Sequence, residues 1–207
     1  MLDDPVRAIL PKVVGGLARR LGRAGVTPNM MSVASWFVAI AAAVLVARGY
    51  PILGVLVWLL SRLGDGLDGL IARQSGSVSP FGGYLDITLD MAAYGIMVIG
   101  FAMAYPALGL AWSAILLSYI LSITSTLALS NAASATGRQV SRTDRTFQFT
   151  SSLAEAGETS IMYSAWAVFP QWMEPLAWTW CAVVLVSVVQ RSWLAYRVLS
   201  ENGPSGP

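Results

Sequence analysis

Asp65-Gly66-Leu67-Asp68-Gly69-Leu70-Ile71-Ala72-Arg73, eight further residues, then Gly82-Gly83-Tyr84-Leu85-Asp86-Ile87-Thr88-Leu89-Asp90 is the stretch on which the chain turns. It holds four carboxylates in a chain with 11 acidic residues, and apolar sequence flanks it on both sides. Asp65 and Asp68 are spaced i,i+3, and Asp86 and Asp90 i,i+4, so each pair shares one face of a helix. Two helices that present such faces to each other build a dense negative site. Like charges that close do not all stay ionised without a counter-charge. Carboxylate oxygens favour hard divalent ions, which makes Asp65, Asp68, Asp86 and Asp90 candidate ligands for Mg²⁺ or Mn²⁺, with room for two ions.

Working outward, composition sets the class. Charged residues are 12% of the 207, about half the usual share, and hydrophobic residues are 56%. The chain reads as an all-α integral membrane protein with length for about six spans of ~20 residues and short loops. It has no histidine, which excludes His-based acid–base catalysis and a Ser-His-Asp arrangement. Cys181 is the only cysteine, so no internal disulfide forms, and its apolar surroundings read as packing. The first twenty residues lack the continuous apolar core of a cleavable leader. No nucleic-acid partner is expected.

Residues 1–24 read as an amphipathic juxtamembrane helix: Asp3 to Arg23 carries five basic and two acidic groups, with Val6, Ile9, Leu10, Val13, Leu17 and Leu21 at helical spacing. Pro11, Gly15 and Gly16 weaken it. Residues 25–200 read as six transmembrane helices, and 201–207 as a flexible tail. Thr27-Pro28-Asn29 caps span one, Met30 to Ala47. Span two begins at Ile52 and runs unbroken to the Gln74–Pro80 loop, so its second half carries Arg62, Asp65, Asp68 and Arg73. Charge at that depth has to face a cavity, an ion or a partner. Span three is Phe81 to Tyr105, span four Ala107 to Ala133, span five runs from Ser151 to before Pro170, and span six is Pro175 to Leu199. Of the 13 basic residues only Arg48 falls at the Tyr50 end of the spans. The positive-inside rule then puts both termini and the aspartates at the cytoplasmic face of the cell (inner) membrane, with Tyr50, Tyr105 and Trp172 in an outer aromatic belt.

The pattern Asp65-x2-Asp68-Gly69-x2-Ala72-Arg73-x8-Gly82-x3-Asp86-x3-Asp90 also resembles the signature of the CDP-alcohol phosphotransferases at every defined position. The resemblance covers 26 of 207 residues. It implies a six-helix homodimer with a cytoplasm-facing site, in which an alcohol hydroxyl displaces CMP from a CDP-linked donor, usually CDP-diacylglycerol. It implies that Asp65, Asp68 and Asp86 hold the metals and Asp90 is the general base. By the same resemblance Asn29, Asp65, Gly69, Ala72, Arg73 and Gly82 border the nucleotide.

The acceptor alcohol stays open. A phosphate-bearing acceptor such as glycerol 3-phosphate or an inositol phosphate wants arginines, and Arg138, Arg142 and Arg145 offer them, although an ordinary cytoplasmic loop is basic too. An amino alcohol wants carboxylates, and Glu155 and Glu158 stand i,i+3, although they could simply pair with those arginines. Arg191 and Arg197 at the end of span six suit interfacial anchoring. Gly64, Gly66 and Gly69 suit either close helix packing or a ligand lying on the backbone. Three rivals remain: an amino-alcohol phosphotransferase using a small CDP-alcohol and diacylglycerol, an intramembrane prenyltransferase, and a divalent-cation carrier. Prenyltransferases place their acid motifs far apart, whereas these lie within 26 residues, and a carrier has no use for the Ala72-Arg73-x8-Gly82 segment.

Overall fold

Proline and side-chain caps punctuate the helices. The computed structural model describes residues 14–135 and 156–200, and these are helical apart from short turns. Helix α1 spans 14–23. Helix α2, Pro28–Ala47, starts with the Thr27 hydroxyl accepting the Met30 N–H. Helix α3, Pro51–Ser75, starts on Pro51 and stops at Gly76, which takes the left-handed conformation (φ 64°) that a non-glycine residue resists. Helix α4, Pro80–Ala104, starts where Ser79 accepts the Gly82 N–H. After the 3-10 turn Pro106–Leu108 comes α5, Gly109–Ala135. Helix α6, Ala156–Val168, the turn Pro170–Trp172, and α7, Met173–Ser200, complete the order.

Helix α2 packs against α3 and α4, α5 packs against α7, and α4–α5, α3–α6 and α6–α7 contacts close the bundle. At the α2–α4 crossing the backbones nearly touch: a Cβ added to Gly100 would lie 2.6 Å from the Ala43 carbonyl oxygen. Aromatic rings from four helices fill the centre. Trp58, Phe101, Trp112, Tyr163 and Trp166 are each at most 1% exposed. Trp112 and Trp166 meet edge-on at 5.1 Å, and Trp58 and Tyr163 at 5.2 Å. Leucines such as Leu56, Leu60 and Leu110 point outward and stay exposed, the reverse of a water-soluble bundle.

Helices stand at all six predicted span positions, but only four described segments are long and apolar enough to cross a membrane: Pro28–Ala47, Pro80–Ala104, Pro106–Ala135 and Pro170–Leu199. Helix α3 has the length, yet Arg62, Asp65, Asp68 and Arg73 break its apolar run. Helix α6 is described for 13 residues only, because Ser151 to Glu155 lie outside the described residues. Of the stretch 1–24 expected as an interfacial helix, residues 1–13 lie outside the described residues; 14–23 is helical and docked on protein, with Ala18 buried beside Leu67, Leu70 and Ile71 of α3, and Val14 and Leu21 packed next to it.

Candidate active site

Helices α3 and α4 are neighbours in sequence, joined by residues 76–79, and their polar ends stand together. One carboxylate oxygen from each of Asp65, Asp68 and Asp86 lies within 4.8 Å of the others. That is three hard oxygen donors at one point, a set suited to a divalent cation of the Mg²⁺ or Mn²⁺ kind. Asp68 is the buried member, and its Oδ2 accepts a 2.6 Å hydrogen bond from the Ser32 hydroxyl on α2. The Pro28 carbonyl, 3.2 Å from the same hydroxyl, is the longer alternative acceptor for its one proton. Asp86 is exposed, so the cluster opens outward on its side.

Asp90 lies beside the three, linked to Asp65 through Arg62. Its Oδ1 accepts a hydrogen bond from Arg62 Nη1, and the same nitrogen lies 3.7 Å from Asp65 Oδ2. The Arg62 guanidinium rests on two rings, 4.5 Å from the centroid of Trp58 and 5.5 Å from that of Tyr94. Trp58 is fixed on its far side by an Nε1–H bond of 3.1 Å to Ser160 on α6. Arg62 pairs with Asp65 and Asp90, while Asp68 turns to a serine.

The residues expected to border a nucleotide gather at the same end. A Cβ on Gly82 would meet Ser79 Oγ at 3.2 Å and Asn29 Oδ1 at 3.4 Å, so Asn29 and Gly82 face each other across the α2–α4 entry. The Arg73 guanidinium folds back over Gly69, 3.3 Å from where a Cβ would stand there. Ala72 is half-buried one turn beyond Asp68. The glycine question divides by face: Gly64 is buried against Ser35 and Met31 of α2 and is a packing residue, while Gly66 and Gly69 stay partly open. Arg138, Arg142, Arg145 and Glu155 lie outside the described residues. Glu158 is half-buried in the first turn of α6, two residues before Ser160.

Three contributors escaped the sequence. Ser32 carried one faint signal, a hydroxyl in an apolar span. Trp58 and Tyr94 carried none, since aromatic residues are ordinary in such helices. Arg191, read as an anchor, is 7% exposed and donates through Nη1 to the Ser122 carbonyl at 2.6 Å and to Ser125 Oγ at 3.0 Å.

The family model for CDP-alcohol phosphatidyltransferases matches residues 25–190. Over 207 residues the chain is 30% identical to the inner membrane protein YnjF of Escherichia coli, covering 97% of this chain and 98% of that one. Over 106 residues it is 38% identical to a phosphatidylinositol phosphate synthase of Streptomyces avermitilis, covering 51% of this chain and 43% of the synthase. The fold is shared with the Mycobacterium tuberculosis phosphatidylinositol phosphate synthase crystallised with CDP-DAG bound: TM-score 0.69, 22% identity, 89% of this chain and 94% of that one. The same synthase crystallised with manganese and citrate gives a TM-score of 0.67 at 22% identity, over 89% of each chain. A match that runs from the first cap to the last helix, and not over the acidic motif alone, makes this chain a member of the CDP-alcohol phosphatidyltransferase family, divalent-metal-dependent transferases of phospholipid synthesis.

Proposed function

We propose that the chain transfers the phosphatidyl group of CDP-diacylglycerol to a hydroxyl of a small phosphorylated polyol, an inositol phosphate in the first instance, and releases CMP. The observation that carries this is the meeting of Asp65, Asp68 and Asp86 with Asp90 held beside them. A bound divalent cation supplies neutralisation of the donor's pyrophosphate as it splits. Asp65, Asp68 and Asp86 would hold it. The acceptor hydroxyl oxygen forms the new bond to the phosphatidyl phosphorus, and the bond from that phosphorus to the CMP oxygen breaks. In a chain without histidine the hydroxyl proton goes to a carboxylate, and Asp90, one turn from Asp86, is the one left for it. Asn29, Gly69, Ala72, Arg73 and Gly82 line the approach for the nucleotide, and residues 25–200 form the catalytic unit.

Two things support a phosphorylated acceptor. The named synthases of Streptomyces avermitilis and Mycobacterium tuberculosis make a phosphatidylinositol phosphate, which favours an inositol phosphate over glycerol 3-phosphate. Arg191 offers the charge. The Tyr94 and Tyr119 rings lie 6.4 Å apart, Asp90 is one turn before Tyr94, and Ser122 is nearly one turn beyond Tyr119 on the antiparallel α5. Arg191, bonded to Ser122, therefore stands at the depth of Asp90, on a cavity of about 320 Å³ that Ser125, Ala128 and Ser192 also line. The distribution of arginines supports a cytoplasm-facing site with both termini on that side. A homodimer goes with the reading.

The test is to incubate purified protein with CDP-diacylglycerol, Mn²⁺ and a panel of inositol phosphate, glycerol 3-phosphate, inositol and an amino alcohol, and to weigh the lipid product. A phosphatidylinositol phosphate is expected. A different lipid reassigns the acceptor, and absence of CMP with every alcohol sinks the reading.

A further inference from the structure

We propose that helix α1 is a docking surface for the anionic phospholipid headgroups of the bilayer, and that this docking braces the acid-bearing half of α3. Residues 14–23 hold three arginines and no acidic residue. At about 100° per residue, Val14, Ala18 and Leu21 form one stripe, and Leu17, Arg20 and Arg23 follow in that order around the helix. The first stripe is taken up by protein: Ala18 is 1% exposed and packs with Leu67, Leu70 and Ile71 of α3. The side beyond it is open. Leu17 is 48% exposed, and Arg20 and Arg23 are exposed with it. Arg19 turns the other way: its Nη1 lies 3.8 Å, and Gln74 Nε2 3.9 Å, from where a Cβ on Gly15 would stand.

Depth and charge together name the occupant. The chain enters a membrane-long apolar helix at Pro28, shortly past Arg23, so α1 lies at the bilayer boundary on the side of the aspartates. There a leucine enters the acyl boundary while neighbouring guanidinium groups reach lipid phosphates and carboxylates. A polyanion free in water has no use for Leu17. The docked stripe meets α3 on either side of Asp68, since Leu67 precedes that acid and Ile71 follows it. Beyond α1 the Val26 N–H donates to the Leu21 carbonyl at 3.0 Å, and Val26 packs on the same cluster with Met31 of α2. Helix α1 thus touches the helix of the first acid pair and the start of the helix that carries Asn29. The turnover readout below rests on the transferase reading, whereas the docking itself does not.

The purified full chain is placed in phosphatidylcholine nanodiscs with and without about 30% phosphatidylglycerol, and CMP release is followed at saturating Mn²⁺ and CDP-diacylglycerol. Wild type should turn over at least about fivefold faster in the charged discs, the scale of two arginines near an anionic surface. Arg20→Gln/Arg23→Gln should match wild type within about twofold in neutral discs and gain less than about twofold from charge. Arg197→Gln removes an exposed arginine stacked 3.7 Å above Trp193 on α7 and should keep the full gain, which separates α1 from the general surface potential. A second readout needs no turnover. With Cys181 changed to Ala, a nitroxide attached at Gly16→Cys stands in open space on the arginine side of α1. Its collisions with a water-soluble nickel relaxant should fall at least about twofold when phosphatidylglycerol is added, and should not change in Arg20→Gln/Arg23→Gln. Ala18→Trp, which forces α1 away from α3, should keep the label's response and remove the effect of lipid charge on CMP release. A full gain in Arg20→Gln/Arg23→Gln, a lost gain in Arg197→Gln, or a label blind to lipid charge would overturn the docking surface. A label that responds while wild-type CMP release does not would overturn the bracing of α3. If no alcohol yields CMP in any disc, the transferase reading fails, and the label alone decides whether α1 docks. Should the double variant not fold, Arg20→Gln takes its place, and a gain and label response equal to wild type overturn the proposal.

Discussion

The Ser32 hydroxyl donates to Oδ2 of Asp68 at 2.6 Å, tying the first turns of α2 to the most buried acid of the cluster. A hydrogen bond to a buried carboxylate contributes about 1.5–3 kcal/mol. Ser32→Ala should leave Asp68 free to rotate and raise the half-activating Mn²⁺ concentration roughly tenfold, the lower end for lost outer support of a metal ligand. A Mn²⁺ titration of CMP release checks it, and unchanged activation would show that Asp68 needs no such support.

The four aspartates should separate into two kinds. Asp86→Asn removes one of the three converging donors and should weaken Mn²⁺ binding at least about tenfold. Asp90→Asn should bind Mn²⁺ within about twofold of wild type and still turn over at least about 10²-fold more slowly. Magnetic resonance titrations alongside single-turnover CMP release distinguish them. Equal loss of metal in both variants would put Asp90 among the ligands.

Arg191 should matter to one substrate only. Arg191→Gln should raise KM for a phosphorylated acceptor about tenfold or more, as expected for a lost charge-assisted contact, with KM for CDP-diacylglycerol within about twofold. If both constants move together, the bonds to Ser122 and Ser125 hold α5 and α7 in place and do nothing further.

Gly100 is a packing requirement with no tolerance. A Cβ there would lie 2.6 Å from the Ala43 carbonyl oxygen, and that contact is backbone, which cannot rotate away. Gly100→Val should separate α2 from α4 and destabilise the protein by about 3 kcal/mol or more. Thermal unfolding in detergent reads this directly, and an unfolding midpoint like that of wild type would mean that the crossing opens without loss.

Much of this molecule was legible before it was folded. Turn residues marked the helix ends: Thr27-Pro28, Gly76, Ser79-Pro80 and Pro106 all stand where elements begin or stop. The spacing of the acids placed each pair on one face, because helical periodicity is a local property. What stayed hidden is non-local. Nothing near Ser32 in sequence points to Asp68, 36 residues away, and nothing near Trp58 points to Ser160, 102 residues away. The division of the aspartates into three and one depends on where Arg62 is pressed by rings from two helices, and spacing carries no record of that. Arg191 looked like an anchor because position along a helix does not reveal which neighbour covers it.

Residues 76–79 join α3 to α4, and that brief link has a consequence for how the protein is made. All four aspartates and Arg62 belong to this one helical hairpin. Their mutual contacts are short in sequence, so they form without waiting for loop closure over the whole chain. The hairpin carries its full load of acids from the start, and Arg62 travels with them as a counter-charge. Helices α5, α6 and α7 emerge from the ribosome later, bringing Ser160 and Arg191. Synthesis thus lays down the acidic hairpin before the helices that carry Ser160 and Arg191.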